Sequence, residues 1–123
     1  MKFLGALLRW GRNRHYHRGI AHFNRGEFEP AALCFERALE DLRNPDHPDH
    51  ALARCYAAES RAHLGLAAFH AGQYPRAEQE MTRALAANPA FPDLRYYRAR
   101  IRERSGRVAE ALEDLEQALR GRP

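Results

Sequence analysis

A pattern of small residues that recurs along the chain constrains its fold more than any other feature of the sequence. Gly72 begins a glycine-x-aromatic turn, with Ala68 four residues before it and Ala77 five residues after it. Helices that cross closely need small side chains at the crossing, so the pattern predicts two helices joined by a tight turn. The matching residues are Gly106 and Ala111, 34 positions later, and Gly26 and Ala31, 46 positions earlier.

A 34-residue period with this spacing resembles the tetratricopeptide repeat (TPR) family, as a small bacterial-type protein of three repeats. The resemblance implies an all-α fold, a right-handed superhelix of three helix–turn–helix repeats (an α-solenoid). The repeats would span about 12–45, 58–91 and 92–123, with an insertion at about 46–57. The family's aromatic pattern in the first helix of each repeat is poorly kept. Arginine stands there instead at Arg61, Arg95, Arg98 and Arg102, which suggests that the fifth helix faces something unusual.

Apolar periodicity predicts the helices themselves. Two prolines and two aspartates between residues 44 and 50 predict a break with a capping residue before the third helix. The extra residues are expected to lengthen the end of the second helix and the start of the third. The six helices are expected at about 13–25, 29–43, 49–71, 75–87, 93–105 and 108–120.

Composition limits the compartment and the partners. The chain has 123 residues, a formal net charge of +4 and two cysteines, Cys34 and Cys55, without metal or disulfide spacing. This predicts a reducing cytoplasm, with attachment to the periphery of the inner membrane as a second option. The basic residues are nearly all arginine, are spread along the chain and are offset by 16 acidic residues. Nucleic acid is therefore an unlikely partner.

The first twelve residues form a separate amphipathic pattern. One face carries the apolar residues Phe3, Leu4, Leu7, Leu8 and Trp10, and the opposite face carries Lys2, Arg9 and Arg12. We expect residues 1–12 to cap and extend the first helix, since terminal repeats need a covered end. A membrane-surface anchor is the alternative. A signal peptide is disfavoured, because the apolar run is short and no small-residue cleavage site follows.

The resemblance implies that the first helix of each repeat lines a concave groove, which would bind a protein or peptide segment through apolar and aromatic contacts with arginine at the rim. Packing between repeats is the alternative role for the apolar members, above all Ile20 and Leu66. The partner-binding residues are expected to be Tyr16, Ile20, Phe23, Leu66, Phe69, His70, Tyr96, Tyr97, Arg100 and Arg104. Asn13, Glu59, Ala62, Asp93 and Glu103 are expected on the same helix faces.

Other site chemistries find little support in the sequence. The family members that bind chaperone tails hold a C-terminal carboxylate with lysine, asparagine and arginine, but the matching positions here are Tyr16, Ile20, His63, Asp93 and Tyr97. A carboxylate-clamp chaperone tail is therefore not an expected partner. The histidines of residues 46–50 lack four converging zinc ligands. No phosphate loop, nucleophile elbow or carboxylate pair occurs, so we expect no enzyme, metal or cofactor.

Three functional hypotheses follow. The leading one is a non-enzymatic scaffold or adaptor that binds a partner segment in the groove. The second is a self-assembling structural unit, or the N-terminal piece of a longer repeat array, because Leu112, Leu115 and Leu119 would face solvent at an open edge through which copies could pair. The third is a membrane-surface adaptor that uses residues 1–12.

Overall fold

The computed structural model describes residues 13–120, so the predicted capping segment at residues 1–12 lies outside the described residues. Across 13–120 all regular structure is helical and no strand occurs. This confirms the all-α helical repeat architecture, and each helix begins and ends within about two residues of its predicted position. The helices are α1 (Arg14–Asn24), α2 (Phe28–Asp41), α3 (Pro48–His70), α4 (Tyr74–Ala87), α5 (Pro92–Arg104) and α6 (Val108–Arg120). None of these described helices has the length and hydropathy to cross a bilayer.

The chain divides into two compact units, and the boundary lies between Ala57 and Ala58, inside α3. The N-terminal unit contains α1, α2 and the first part of α3. The C-terminal unit contains the remainder of α3 and α4, α5 and α6.

The turn glycines close the hairpins as predicted. Gly26, Gly72 and Gly106 have φ values of 76°, 77° and 81°, in the left-handed region that other residues rarely adopt. At the second turn, the N–H of Gln73 donates to the carbonyl of Ala68 at 2.8 Å. This bond is the 6→1 hydrogen bond of a Schellman motif at the end of a helix. Each hairpin therefore depends on a glycine two residues after the end of its first helix.

An aromatic cluster fills the N-terminal unit. Phe35 is fully buried and stacks on Tyr56, with ring centroids 5.2 Å apart and planes 14° apart. The edges of Tyr16 and Phe23 contact this pair, at 6.0 Å from Phe35 and 5.2 Å from Tyr56 respectively. Gly19 makes room for the cluster, since a Cβ built there would lie 2.7 Å from the Phe35 ring. The small residue at this crossing is therefore a packing requirement.

Small residues also allow the C-terminal unit to close. A Cβ on Gly65 would lie 3.1 Å from the methyl group of Met81 and 3.2 Å from the Ala77 carbonyl oxygen. The core consists mainly of alanines, with a few larger apolar side chains between them. Its buried members are Ala58, Ala62, Ala68, Ala77, Met81, Ala84, Leu85, Leu94 and Ile101.

Three of the four arginines that replace the family's aromatic residues form ion pairs inside the C-terminal unit, whereas Arg95 donates to the carbonyl of Pro89 at 2.7 Å. Arg61 is 3% exposed and donates to Glu80 at 3.1 Å. Arg98 binds Asp114 through two hydrogen bonds, of 2.9 and 2.7 Å. Arg102 also reaches the Asp114 carboxylate, at 2.8 Å. The unusual surface expected opposite α5 is thus a set of acidic residues on α4 and α6.

A second part of this network lies at the start of α6. Arg107 binds both Glu78 and Glu110, and Arg102 donates to Glu78 at 2.7 Å. Hydrogen bonds from Arg107 hold the pKa of Glu110 below its ordinary value, and the same contact raises the pKa of Arg107. These contacts join α4, α5 and α6 on one side of the unit.

The break between α2 and α3 differs from its prediction in two respects. α2 has 14 residues, as α4 does, so the expected lengthening of the second helix is wrong. The extra residues lie in the loop 42–47 and in α3, which has 23 residues. Before α3, the ring nitrogen Nδ1 of His47 accepts the N–H of Asp49 at 3.1 Å, where we had expected an aspartate cap.

Candidate protein-binding groove

Two neighbouring cavities open on one face of the C-terminal unit, each of about 190 Å³. Each is smaller than the roughly 300–1,000 Å³ of most small-molecule sites, and each has room for about one large side chain. Leu66 of α3 and Tyr97 of α5 line both cavities, so the cavities adjoin one another, and together they are named here the α3–α5 groove. The first cavity is lined by Leu66, Phe69, His70, Tyr97, Arg100 and Ile101. The second is lined by Glu59, Ala62, His63, Leu66, Phe91, Asp93, Leu94 and Tyr97.

The periodicity of α3 and α5 explains why these side chains converge. The groove stripe on α3 consists of residues 59, 63, 66 and 70, and the stripe on α5 consists of residues 93, 97, 100 and 104. Steps of three or four residues keep a stripe on one helix face. Each residue of the α5 stripe lies 34 positions after a residue of the α3 stripe. The two helices therefore contribute equivalent repeat positions to the groove.

Five of the residues predicted for partner binding meet in the first cavity: Leu66, Phe69, His70, Tyr97 and Arg100. Leu66, Phe69 and Tyr97 also pack against the core of the unit, so each is partly a structural residue.

Two further predicted residues of α5 lie outside the cavities. Tyr96 is 45% exposed and touches the Tyr97 ring edge-on, with centroids 5.9 Å apart. Arg104 is exposed on the last turn of α5, one turn beyond Arg100. Tyr96 thus adjoins the groove through Tyr97, and Arg104 continues the α5 face of Arg100 by one turn.

The predicted residues of the first repeat belong to the N-terminal unit. Tyr16 and Phe23 pack in the aromatic cluster around Tyr56, and Ile20 is half-buried. Burial raises the pKa of Tyr16, and Tyr56 and Asp49 add to the shift. Asn13, expected on the same face, caps α1 by accepting the N–H of His15 at 2.9 Å. Their contacts are those of packing and capping residues, and a binding role for them stays a prediction.

The groove also contains residues that the periodicity did not indicate. Phe91 precedes α5 and lines the second cavity, together with the buried Leu94, while the buried Ile101 lines the first. Phe91 lies between two prolines of a linker, where helix periodicity gives no guidance. Its apolar character just before a helix was the available signal, because such a residue often packs back on the first turns.

Charged side chains stand at the two ends of the groove. Glu59 and Asp93 are exposed at one end, and Arg100 is exposed at the other beside the imidazole of His70. Among residues 13–120, neither the two carboxylates nor Arg100 forms an ion pair or a side-chain hydrogen bond. The groove therefore presents an apolar floor with unneutralised charges of opposite sign at its ends. No group of three metal-binding side chains occurs in this described range.

The comparison with family models agrees with the repeat architecture. The family model described as tetratricopeptide repeat matches residues 63–123. No curated protein matches the chain. Among solved structures, the second TPR of Spaghetti (RPAP3), bound to the HSP90 peptide SRMEEVD, is 22% identical. The alignment covers 88% of this chain and 89% of that one, with a TM-score of 0.48.

Proposed function

This chain belongs to the tetratricopeptide repeat family, a family of protein-interaction modules, and we propose that it acts without catalysis by binding a partner segment in the α3–α5 groove. The observation that carries the proposal is the shared lining of the two cavities by Leu66 and Tyr97. An apolar floor with room for successive side chains suits a peptide segment better than a compact small molecule. Binding would be non-covalent and free of cofactors.

The lining of the second cavity supports a partner other than a chaperone tail. His63, Asp93 and Tyr97 occupy positions where the chaperone-tail binders of the family have clamp residues, and all three line this cavity. A carboxylate at Asp93 would repel a C-terminal carboxylate. We therefore propose an internal segment of a cytoplasmic protein as the partner.

Site-specific photo-cross-linking in the source cell tests the proposal. A photoreactive phenylalanine analogue replaces Tyr96, which borders the groove and is 45% exposed. The matched control carries the same analogue at Leu33 of α2, which is 55% exposed and does not line the groove. We expect a discrete cross-linked protein from position 96 that disappears when Leu66→Ala is added. A product that is unchanged by Leu66→Ala, or equal products from both positions, would contradict the proposal.

A second candidate function is self-association through α6. Val108, Leu112 and Leu119 are 56%, 55% and 67% exposed and follow one another at steps of four and seven residues. Such a stripe is a common pairing surface between helices. Sedimentation velocity between about 5 and 200 μM would show a dimer that is lost in Leu112→Glu. A monomer over the whole concentration range would exclude this function.

A further inference from the structure

We propose that the α3–α5 groove selects a segment of mixed charge, with a basic side chain at one end, apolar side chains in the middle and an acidic side chain at the other end. The inference rests on the proposed function, that the groove binds a partner segment. It adds the class of segment that fits.

The first argument is the order of charges along the two groove stripes. On α3 the stripe begins with Glu59 and ends with His70, and on α5 it begins with Asp93 and ends with Arg104. The 34-residue period thus relates Glu59 to Asp93 at one end of the groove and His70 to Arg104 at the other. Arg100 adds a second guanidinium to the basic end. The acidic residues therefore form one row across the groove, and the basic residues form a second row at its other end.

The second argument is that the arginines on the groove side of α5 have no ion-pair partner within residues 13–120, whereas those on the opposite side of α5 are paired with carboxylates. Arg98 and Arg102 of α5 are bound by Asp114 and Glu78. Arg100 and Arg104 lie on the other side and have no carboxylate partner among the described residues. Glu103, three residues after Arg100, forms no ion pair with either arginine in the described residues. An i, i+4 pair of like charges is unfavourable in isolation, so an acidic group between them would be bound favourably.

The third argument is the distance between the rows. Glu59 and His70 are eleven residues apart on α3, which is about 16 Å at roughly 1.5 Å per residue. An extended segment covers this distance in about five residues at roughly 3.3 Å each. The bound segment should therefore carry its basic and acidic side chains about five positions apart, with apolar side chains between them over Leu66 and Tyr97.

Selection from a random library of displayed twelve-residue peptides tests the inference on the full chain. We expect the enriched sequences to contain a base and an acid four to six positions apart, with apolar residues between them. The double variant Arg100→Glu/Arg104→Glu should instead enrich sequences with bases at both ends. The matched control Arg37→Glu/Arg54→Glu changes two exposed arginines of the N-terminal unit and should select as the unaltered chain does.

Synthetic peptides then measure the preference. A six-residue peptide with terminal amide and acetyl groups, lysine first, glutamate last and leucine and phenylalanine inside, should bind about tenfold more tightly than its analogues with two lysines or two glutamates. The difference should shrink as salt is raised from about 50 to 500 mM. Enriched sequences that share apolar residues but no charge pattern would overturn the inference and leave the proposed function standing. No enrichment over an unrelated helical protein would overturn both.

Discussion

Leu66 and Tyr97 lie on different helices and line the same two cavities of the C-terminal unit. Both are half-buried and both pack against the alanine-rich core. Their positions within the repeat differ, since Leu66 corresponds to Arg100 and Tyr97 to His63 in the 34-residue register. The apolar middle of the groove therefore consists of residues from non-equivalent positions of two consecutive repeats. A partner segment that covers it must contact both helices at once.

Tyr97→Ala should weaken partner binding at least tenfold, because it removes an aromatic anchor from the centre of the groove. The loss of its packing should also lower the free energy of unfolding by about 1–3 kcal/mol. The matched control is Leu33→Ala, which removes an apolar side chain that is 55% exposed and belongs to the N-terminal unit. Titration of a captured partner segment by fluorescence anisotropy separates the two variants. Equal affinities for both would show that the cavities are not occupied.

Gly19→Ala should destabilise the fold, although alanine favours a helix over glycine by about 1 kcal/mol. The added Cβ would lie 2.7 Å from the ring of the fully buried Phe35, and overpacking of this kind costs roughly 1–3 kcal/mol. Phe35→Leu in the same chain should recover part of the loss by relieving the contact. Urea unfolding followed by circular dichroism measures both variants. A stabilised Gly19→Ala chain would mean that α1 and α2 are not packed this closely.

Asp114→Asn should lower the free energy of unfolding by about 2–4 kcal/mol. Asp114 is 3% exposed and accepts hydrogen bonds from both Arg98 and Arg102, so the neutral amide leaves two guanidinium groups without their shared carboxylate. The control is Glu113→Gln on the exposed face of α6, which should stay within about 0.5 kcal/mol of the unaltered chain. Denaturant unfolding distinguishes the two. Similar stabilities would refute an ion-pair network between α5 and α6.

Alkaline pH should destabilise the N-terminal unit through Tyr16. Burial raises the pKa of Tyr16 above its ordinary value of 10.0, and Tyr56 and Asp49 act in the same direction. Above pH 10 the unfolded chain loses this proton first, so the contribution of Tyr16 to stability is complete below pH 10 and is lost as the pH rises through the folded-state value. Tyr16→Phe should flatten this fall above about pH 10, whereas Tyr96→Phe at an exposed position should leave it unchanged. Thermal unfolding at each pH provides the measurement.

The sequence allowed the helices and turns to be predicted because local rules determine them. Gly26, Gly72 and Gly106 occupy positions that require positive φ, and alanines mark the helix crossings. The cap of α3 was missed because histidine is not among the usual capping residues. The ring nitrogen of His47 nevertheless accepts a hydrogen bond as an aspartate oxygen would. The end of α2 was placed two residues too late because the first helix breaker after it, Pro45, lies four residues beyond Asp41.

The groove was predicted in part. The stripes on α3 and α5 follow from helical periodicity, which is why Leu66, His70, Tyr97 and Arg100 could be named. The pairing of Arg98 and Arg102 with Asp114 depends on contacts between residues that are distant in the sequence. The local pattern of α6, which is rich in charged residues, does not indicate that the carboxylate of Asp114 is buried. The same limit applies to Ile101, whose contribution to the cavity wall depends on how closely α3 and α5 approach.

The most direct test of the account is backbone NMR of the full chain during titration with the segment identified by cross-linking. We predict that amide shifts change along the groove stripes, from Glu59 to His70 and from Asp93 to Arg104. The amides around Val108, Leu112 and Leu119 on α6 should remain unchanged and serve as the internal control. Shift changes confined to α6, with an unperturbed groove, would contradict the central claim that the α3–α5 groove is where this protein binds its partner.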